Sequence, residues 1–113
     1  MRNIILRLAA LSMVALLLLA PTAGAQSKTA TVTIKGFAFK PPHLTVTPGT
    51  TVTWVNKDRA PHTATATRPA RVFASGKLMP GQRFSHTFKR PGTYYYHCAI
   101  HPSMKGTVTV RRR

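Results

Sequence analysis

Acidic side chains are almost missing from this sequence: seventeen lysines and arginines stand against one carboxylate, Asp58, for a formal charge of +16. A field of that sign says nothing about fold, but it rules out indifference to partners. It steers a protein towards acidic surfaces or polyanions, with strong salt dependence. Cysteine is nearly missing as well. Cys98 stands alone, so no disulfide can staple the chain internally. Helical periodicity, internal repeats and low-complexity linkers are all missing after Ala25, which excludes a helical bundle and a repeat array.

The segment from Met1 to Ala25 has a pattern of its own. Arg2 and Arg7 are positive, Leu8 to Ala20 is almost wholly apolar, and Ala23-Gly24-Ala25 is a small-x-small sequence. This is the pattern of a secretory signal peptide, with cleavage expected between Ala25 and Gln26 and a periplasmic or secreted product. An uncleaved anchor is the weaker reading, because the cleavage pattern follows so closely. No cysteine follows the cut to accept a lipid, so no stable membrane anchor is expected. No Arg-Arg pair precedes the apolar run, so the chain is expected to cross unfolded and to acquire any metal afterwards.

Residues 26–113 then form one domain, long enough for a modest core. Loss of Arg2 and Arg7 leaves it with a charge of +14. The basic residues are spread out and only Arg111-Arg112-Arg113 forms a run. With export, this argues against a specific nucleic-acid partner. The dominant period is two. Val32 and Ile34 alternate with threonines, Leu44 and Val46 do the same, and Val52 and Trp54 share a face of Thr51 to Asn56. Phe37 and Phe39 are expected in the core. A weak strand is expected from His62 to Thr67, and a long loop from Arg68 to Pro80 with a short strand near Val72-Phe73. Phe84, His86 and Phe88 share a face, Thr93 to His97 is an aromatic strand, and Val108 and Val110 point inward on the last one. Pro48-Gly49 and Pro91-Gly92 supply turns. Many short strands with regular turn signals predict an all-β sandwich or barrel.

The chemistry sits at Cys98-Ala99-Ile100-His101-Pro102-Ser103-Met104. An exported, unpaired thiol invites intermolecular pairing unless something occupies it. Thiolate, imidazole and thioether at this spacing point instead to a soft or borderline metal. Two histidines and a cysteine with a weak axial methionine describe a blue-copper electron-transfer centre. A second histidine is needed, and four are available. His97 neighbours Cys98 on a strand, so its side chain points to the opposite face. His43 follows Pro41-Pro42 without a partner near in sequence, and His86 lies on the Phe84/Phe88 face as a partly buried histidine. His62 follows a loop and Pro61 at a strand start, and ranks first. Met79 is read as loop packing, or as part of an apolar rim, rather than as a ligand.

These residues bring the chain close to a known family. Phe39-Lys40-Pro41, the run Leu44 to Trp54, Asn56 with Pro61-His62-Thr63, Pro91-Gly92-Thr93-Tyr94 and Tyr96-His97-Cys98 through Gly106 resemble the small cupredoxins, in particular the amicyanin and plastocyanin-like group. The resemblance implies a Greek-key β-sandwich and one copper, cycling between Cu(I) and Cu(II), held by His62, Cys98, His101 and Met104. It departs at Thr63, where those relatives have asparagine, so the side-chain clamp on the ligand loop is expected to differ. The function implied is a monomeric one-electron carrier, not an enzyme, between redox partner proteins. The chain's charge suggests that those partners have acidic docking surfaces. Copper storage or delivery is the alternative.

Overall fold

A computed structural model of the chain describes residues 28–113; the leader and the cleavage expected at Ala25 lie outside the described residues. Among the described residues nine strands form: β1 (Lys28–Ile34), β2 (Phe39–Lys40), β3 (His43–Val46), β4 (Thr50–Asn56), β5 (Thr65–Arg68), β6 (Ala70–Ala74), β7 (Arg83–Phe88), β8 (Gly92–His97) and β9 (Lys105–Val110). They make two sheets, ordered β2-β1-β4-β7 and β3-β9-β8-β5-β6. The β1–β4 and β3–β9 pairs are parallel and the rest antiparallel. Successive strands cross repeatedly from one sheet to the other, and the result is the expected all-β Greek-key sandwich.

The period-two pattern explains which side chains meet between the sheets. Val32, Ile34, Val52, Trp54 and Phe88 line one inner face; Val46, Ala66, Phe73, Tyr94, Tyr96, Val108 and Val110 line the other. Trp54 sits at the centre, fully buried, stacked on Phe73 at 5.1 Å and meeting the edge of Tyr96 at 5.4 Å. Burying side chains of this size contributes about 1.5–3 kcal/mol each, which is how a short domain with no disulfide reaches a stable core. Turn chemistry sets the strand ends. Gly49 takes φ +92° after Pro48, and Thr50 N–H closes the turn on the Thr47 carbonyl at 3.2 Å, the positions that proline and glycine favour in a type II turn.

Two expectations need correction. Phe39 is buried, but Phe37 is half exposed (51%). Gly36 and Phe37 both adopt positive φ, +64° and +56°, so the chain leaves the pleat of β1 and the alternation is lost there. The strand expected from His62 begins only at Thr65. His62 itself makes an isolated bridge with Leu78, through His62 N–H to Leu78 C=O at 3.1 Å and Leu78 N–H to His62 C=O at 2.7 Å. The short strand expected within the Arg68–Pro80 stretch is present as β6. At one end of the sandwich β4 finishes at Asn56 and β8 at His97. The metal-ligand candidates gather beyond these two ends.

Candidate metal centre

Three of the four expected side chains converge with their donor atoms facing one another. His62 Nδ1 lies 3.7 Å from Cys98 Sγ, His101 Nδ1 lies 3.7 Å from the same sulfur, and the two nitrogens are 3.2 Å apart. The point equidistant from these three atoms is about 2.1 Å from each, close to the roughly 2.0–2.3 Å that nitrogen and thiolate ligands take on a first-row ion. Among the described residues this is the one group of three such side chains within ligand reach of each other. His62 and Cys98 are fully buried and His101 reaches partway to solvent. Met104 is buried beside them, at the far end of a loop that closes on itself. Cys98 N–H donates to the Met104 carbonyl at 3.1 Å, and Met104 N–H donates to the His101 carbonyl at 2.9 Å.

The scaffold around the sulfur is specific. Thr63 N–H donates to Cys98 Sγ at 3.3 Å, and the Thr63 hydroxyl accepts from Ala99 N–H at 2.7 Å. Thr63 therefore fastens the Cys98 loop to the His62 segment through both its N–H and its hydroxyl. Ser75 braces the same segment, its Oγ accepting from Ala64 N–H at 2.8 Å. A buried cysteine sulfur that accepts a backbone hydrogen bond and faces two imidazole nitrogens, with a buried methionine on the same loop, is a donor set that fits copper better than a hard cation.

The other histidines lie elsewhere. His97 points to the outer face, beside a groove that also holds His43 and Tyr95, and His43 Nδ1 meets the Thr107 hydroxyl at 2.9 Å. His86 packs on Phe73 and edge-on to Phe88. Met79 is not packed into its loop: it is 46% exposed. It follows Leu78, the bridge partner of His62; Phe37, edge-on to His101, and Ile100, next to it in sequence, are exposed as well.

Sequence reasoning missed two residues of this site. Asp58 Oδ2 lies 2.9 Å from His62 Nε2 and accepts from Phe37 N–H at 2.8 Å, while Oδ1 accepts from Gly36 N–H at 2.8 Å. Partial desolvation pulls the Asp58 carboxyl upward. The N–H groups of Phe37 and Gly36, together with His62, outweigh that and hold it below the usual carboxylate value. Phe37, expected in the core, instead sets its ring edge-on to both His62 and His101, at 5.0 Å from each. The available signal was that Asp58 is the only acid and closely precedes the first-ranked histidine.

A family model described as "Cupredoxin-like domain" matches residues 8–110. The amicyanin of Paracoccus denitrificans is 39% identical over 82 residues, covering 70% of this chain and 63% of that relative, so the chain spans a little under two thirds of its length. The plastocyanin of Scenedesmus fuscus is 36% identical over 84 residues, covering 65% of this chain and 86% of its own. Among solved structures, a purple cupredoxin from Nitrosopumilus maritimus is similar with a TM-score of 0.68 and 34% identity, covering 73% of this chain and 99% of that one.

Proposed function

The chain belongs to the cupredoxin-like family, and from that premise we propose that it is an exported blue-copper protein carrying single electrons between redox partners, with His62, Cys98, His101 and Met104 as the ligands of one copper. The observation that carries this reading is the buried triangle of two Nδ1 atoms and one Sγ at 3.2, 3.7 and 3.7 Å. Bound there, copper supplies a one-electron couple. The protein's part is to keep the donors in one arrangement for both oxidation states. His62 is fixed by the bridge to Leu78, Cys98 by the end of β8, and the two are tied together through Thr63. Rigid elements beneath the ligands keep rearrangement small.

Burial favours the less charged state. One thiolate neutralises Cu(I) completely and leaves +1 on Cu(II), so the apolar surroundings of Cys98 raise the reduction potential. Exchange with a partner would use the His101 edge, the ligand that reaches solvent, framed by Phe37, Met79 and Ile100. The chain's positive charge fits an acidic docking surface. Storage or delivery is the weaker alternative, since handing over a metal needs accessible ligands and Cys98 and His62 have no exposed surface.

The test is to add copper(II) to the purified protein and record visible and EPR spectra. Intense colour from a thiolate-to-copper band with a small copper hyperfine splitting is expected, and Cys98→Ser should abolish both. A colourless wild-type protein overturns the reading. Reversible voltammetry and retention of copper against a weak chelator separate the carrier from the storage alternative. Mass spectrometry of the exported product tests the proposed cleavage between Ala25 and Gln26.

A further inference from the structure

The chain has one carboxylate side chain among seventeen cations, and that carboxylate lies against a ligand histidine rather than in any of the many places where it could pair with a lysine or arginine. We propose that Asp58 is a positioning residue that selects the metal-binding form of His62, holds Phe37 against both histidines, and places the chain's only carboxylate side chain next to the centre.

The first part follows from donor and acceptor chemistry. An ionised carboxylate can only accept, so at 2.9 Å from Asp58 Oδ2 the Nε2 atom of His62 carries the hydrogen. That leaves Nδ1 bare, and Nδ1 is the atom facing Cys98 Sγ and His101 Nδ1. A ring nitrogen fixed by a carboxylate is a recurrent way to orient an imidazole ligand and raise its basicity. The carboxylate is itself held in place. Asp58 N–H donates to Asn56 Oδ1 at 2.9 Å, and the fully buried Asn56 amide donates to the carbonyls of Ala60 and Leu78, both at 2.9 Å.

The second part concerns the Gly36–Phe37 turn. Two successive residues at positive φ aim their N–H groups at the same carboxylate, as backbone nests do for anions. Phenylalanine disfavours that conformation, and a phenylalanine turned outward loses its hydrophobic burial. Two charge-assisted hydrogen bonds from the turn offset this. They hold the Phe37 ring edge-on to His62 at 88° and to His101 at 76°. One side chain therefore joins the hidden ligand, the exposed ligand and the rim that would meet a partner.

The third part rests on the copper reading. A negative charge hydrogen-bonded to a ligand favours the more positive oxidation state, opposing the effect of apolar burial. Asp58→Asn keeps an oxygen for His62 and Phe37 but removes the charge. It should lower the affinity of Cu(II) relative to Cu(I) by about tenfold, equivalent to a rise in potential of about 59 mV for one electron.

The experiment has two arms. In the copper-free protein, long-range 1H–15N NMR should find His62 as a single Nε2–H form in wild type and in Asp58→Asn, and as a mixture in Asp58→Ala. In the loaded protein, voltammetry should place Asp58→Asn above wild type, with Asp58→Glu restoring most of the difference. If Asp58→Ala keeps one His62 form, or if Asp58→Asn leaves the potential unchanged or lowers it, the proposal is overturned. Asp58→Asn, of equal size, carries the test should Asp58→Ala fail to fold. The arms also separate the two readings. A wild-type protein that takes up no copper, yet changes its His62 form only in Asp58→Ala, refutes the copper site and upholds the positioning role.

Discussion

At the scale of single residues, Thr63 ties the His62 segment to the Cys98 loop in two separate ways. Its N–H serves the sulfur and its hydroxyl serves Ala99 N–H and Thr65 Oγ1, so Thr63→Val removes the hydroxyl's bonds and leaves the sulfur's. A part-buried N–H stripped of its acceptor costs about 1–3 kcal/mol. Urea unfolding of the copper-free protein should therefore find Thr63→Val less stable by that amount and Thr63→Ser close to wild type. Equal stability of all three would mean that the Ala99 bond is dispensable. His86 makes a different prediction. Partial burial between Phe73 and Phe88 holds its imidazole below the ordinary value of 6.5. As pH falls below that value the unfolded chain takes up the proton first, so stability declines until the folded-state value is also passed. His86→Gln should flatten that part of the stability profile between pH 7 and pH 5. A profile unchanged by the substitution would assign the acid loss to other groups.

At the scale of elements, the β8–β9 pair depends on a missing side chain. Gly106 lies opposite Tyr96 in register and has no positive φ, so backbone freedom is not why glycine stands there. A Cβ on Gly106 would overlap the Tyr96 ring, reaching Cε1 at 2.8 Å and crowding Cζ and Oη still more. Gly106→Ala should destabilise the fold by roughly 1–3 kcal/mol, as overpacking does. Combination with Tyr96→Leu should cost less than the two changes separately. Strict additivity in guanidinium melts would refute the clash. The elements also show what was legible in the sequence. Wherever the pleat ran unbroken, as in β1, β4 and β9, alternation alone placed Val32, Trp54 and Val108 inside. It failed at Phe37, because nothing in the period announces two consecutive positive φ angles. It failed between His62 and Thr65 too, because that backbone pairs through a single bridge to Leu78, a partner on the far side of β5 and β6 in the chain. Cys98 and His101, whose donor atoms the structure brings to 3.7 Å, were legible because they are close in sequence. Asp58 was not, because its role depends on the Gly36–Phe37 turn, which lies before β2, β3 and β4.

At the scale of the whole molecule, charge is the dominant fact. With +14 on residues 26–113, two copies repel strongly wherever they approach. The carrier reading therefore predicts opposite salt dependences for two reactions at the same His101 edge. With an acidic partner, attraction weakens as the Debye length shrinks from about 30 Å at 0.01 M to about 8 Å at 0.15 M, and the rate falls. Between oxidised and reduced copies of this chain the repulsion is what gets screened, so electron self-exchange should rise over the same interval, by about tenfold or more. NMR line broadening in mixtures of the two forms measures that rate without any partner being known. A rate that stayed flat or fell with salt would mean that copies meet at a face shielded from the net charge. Docking at Phe37, Met79 and Ile100 would then have to be governed by apolar contact.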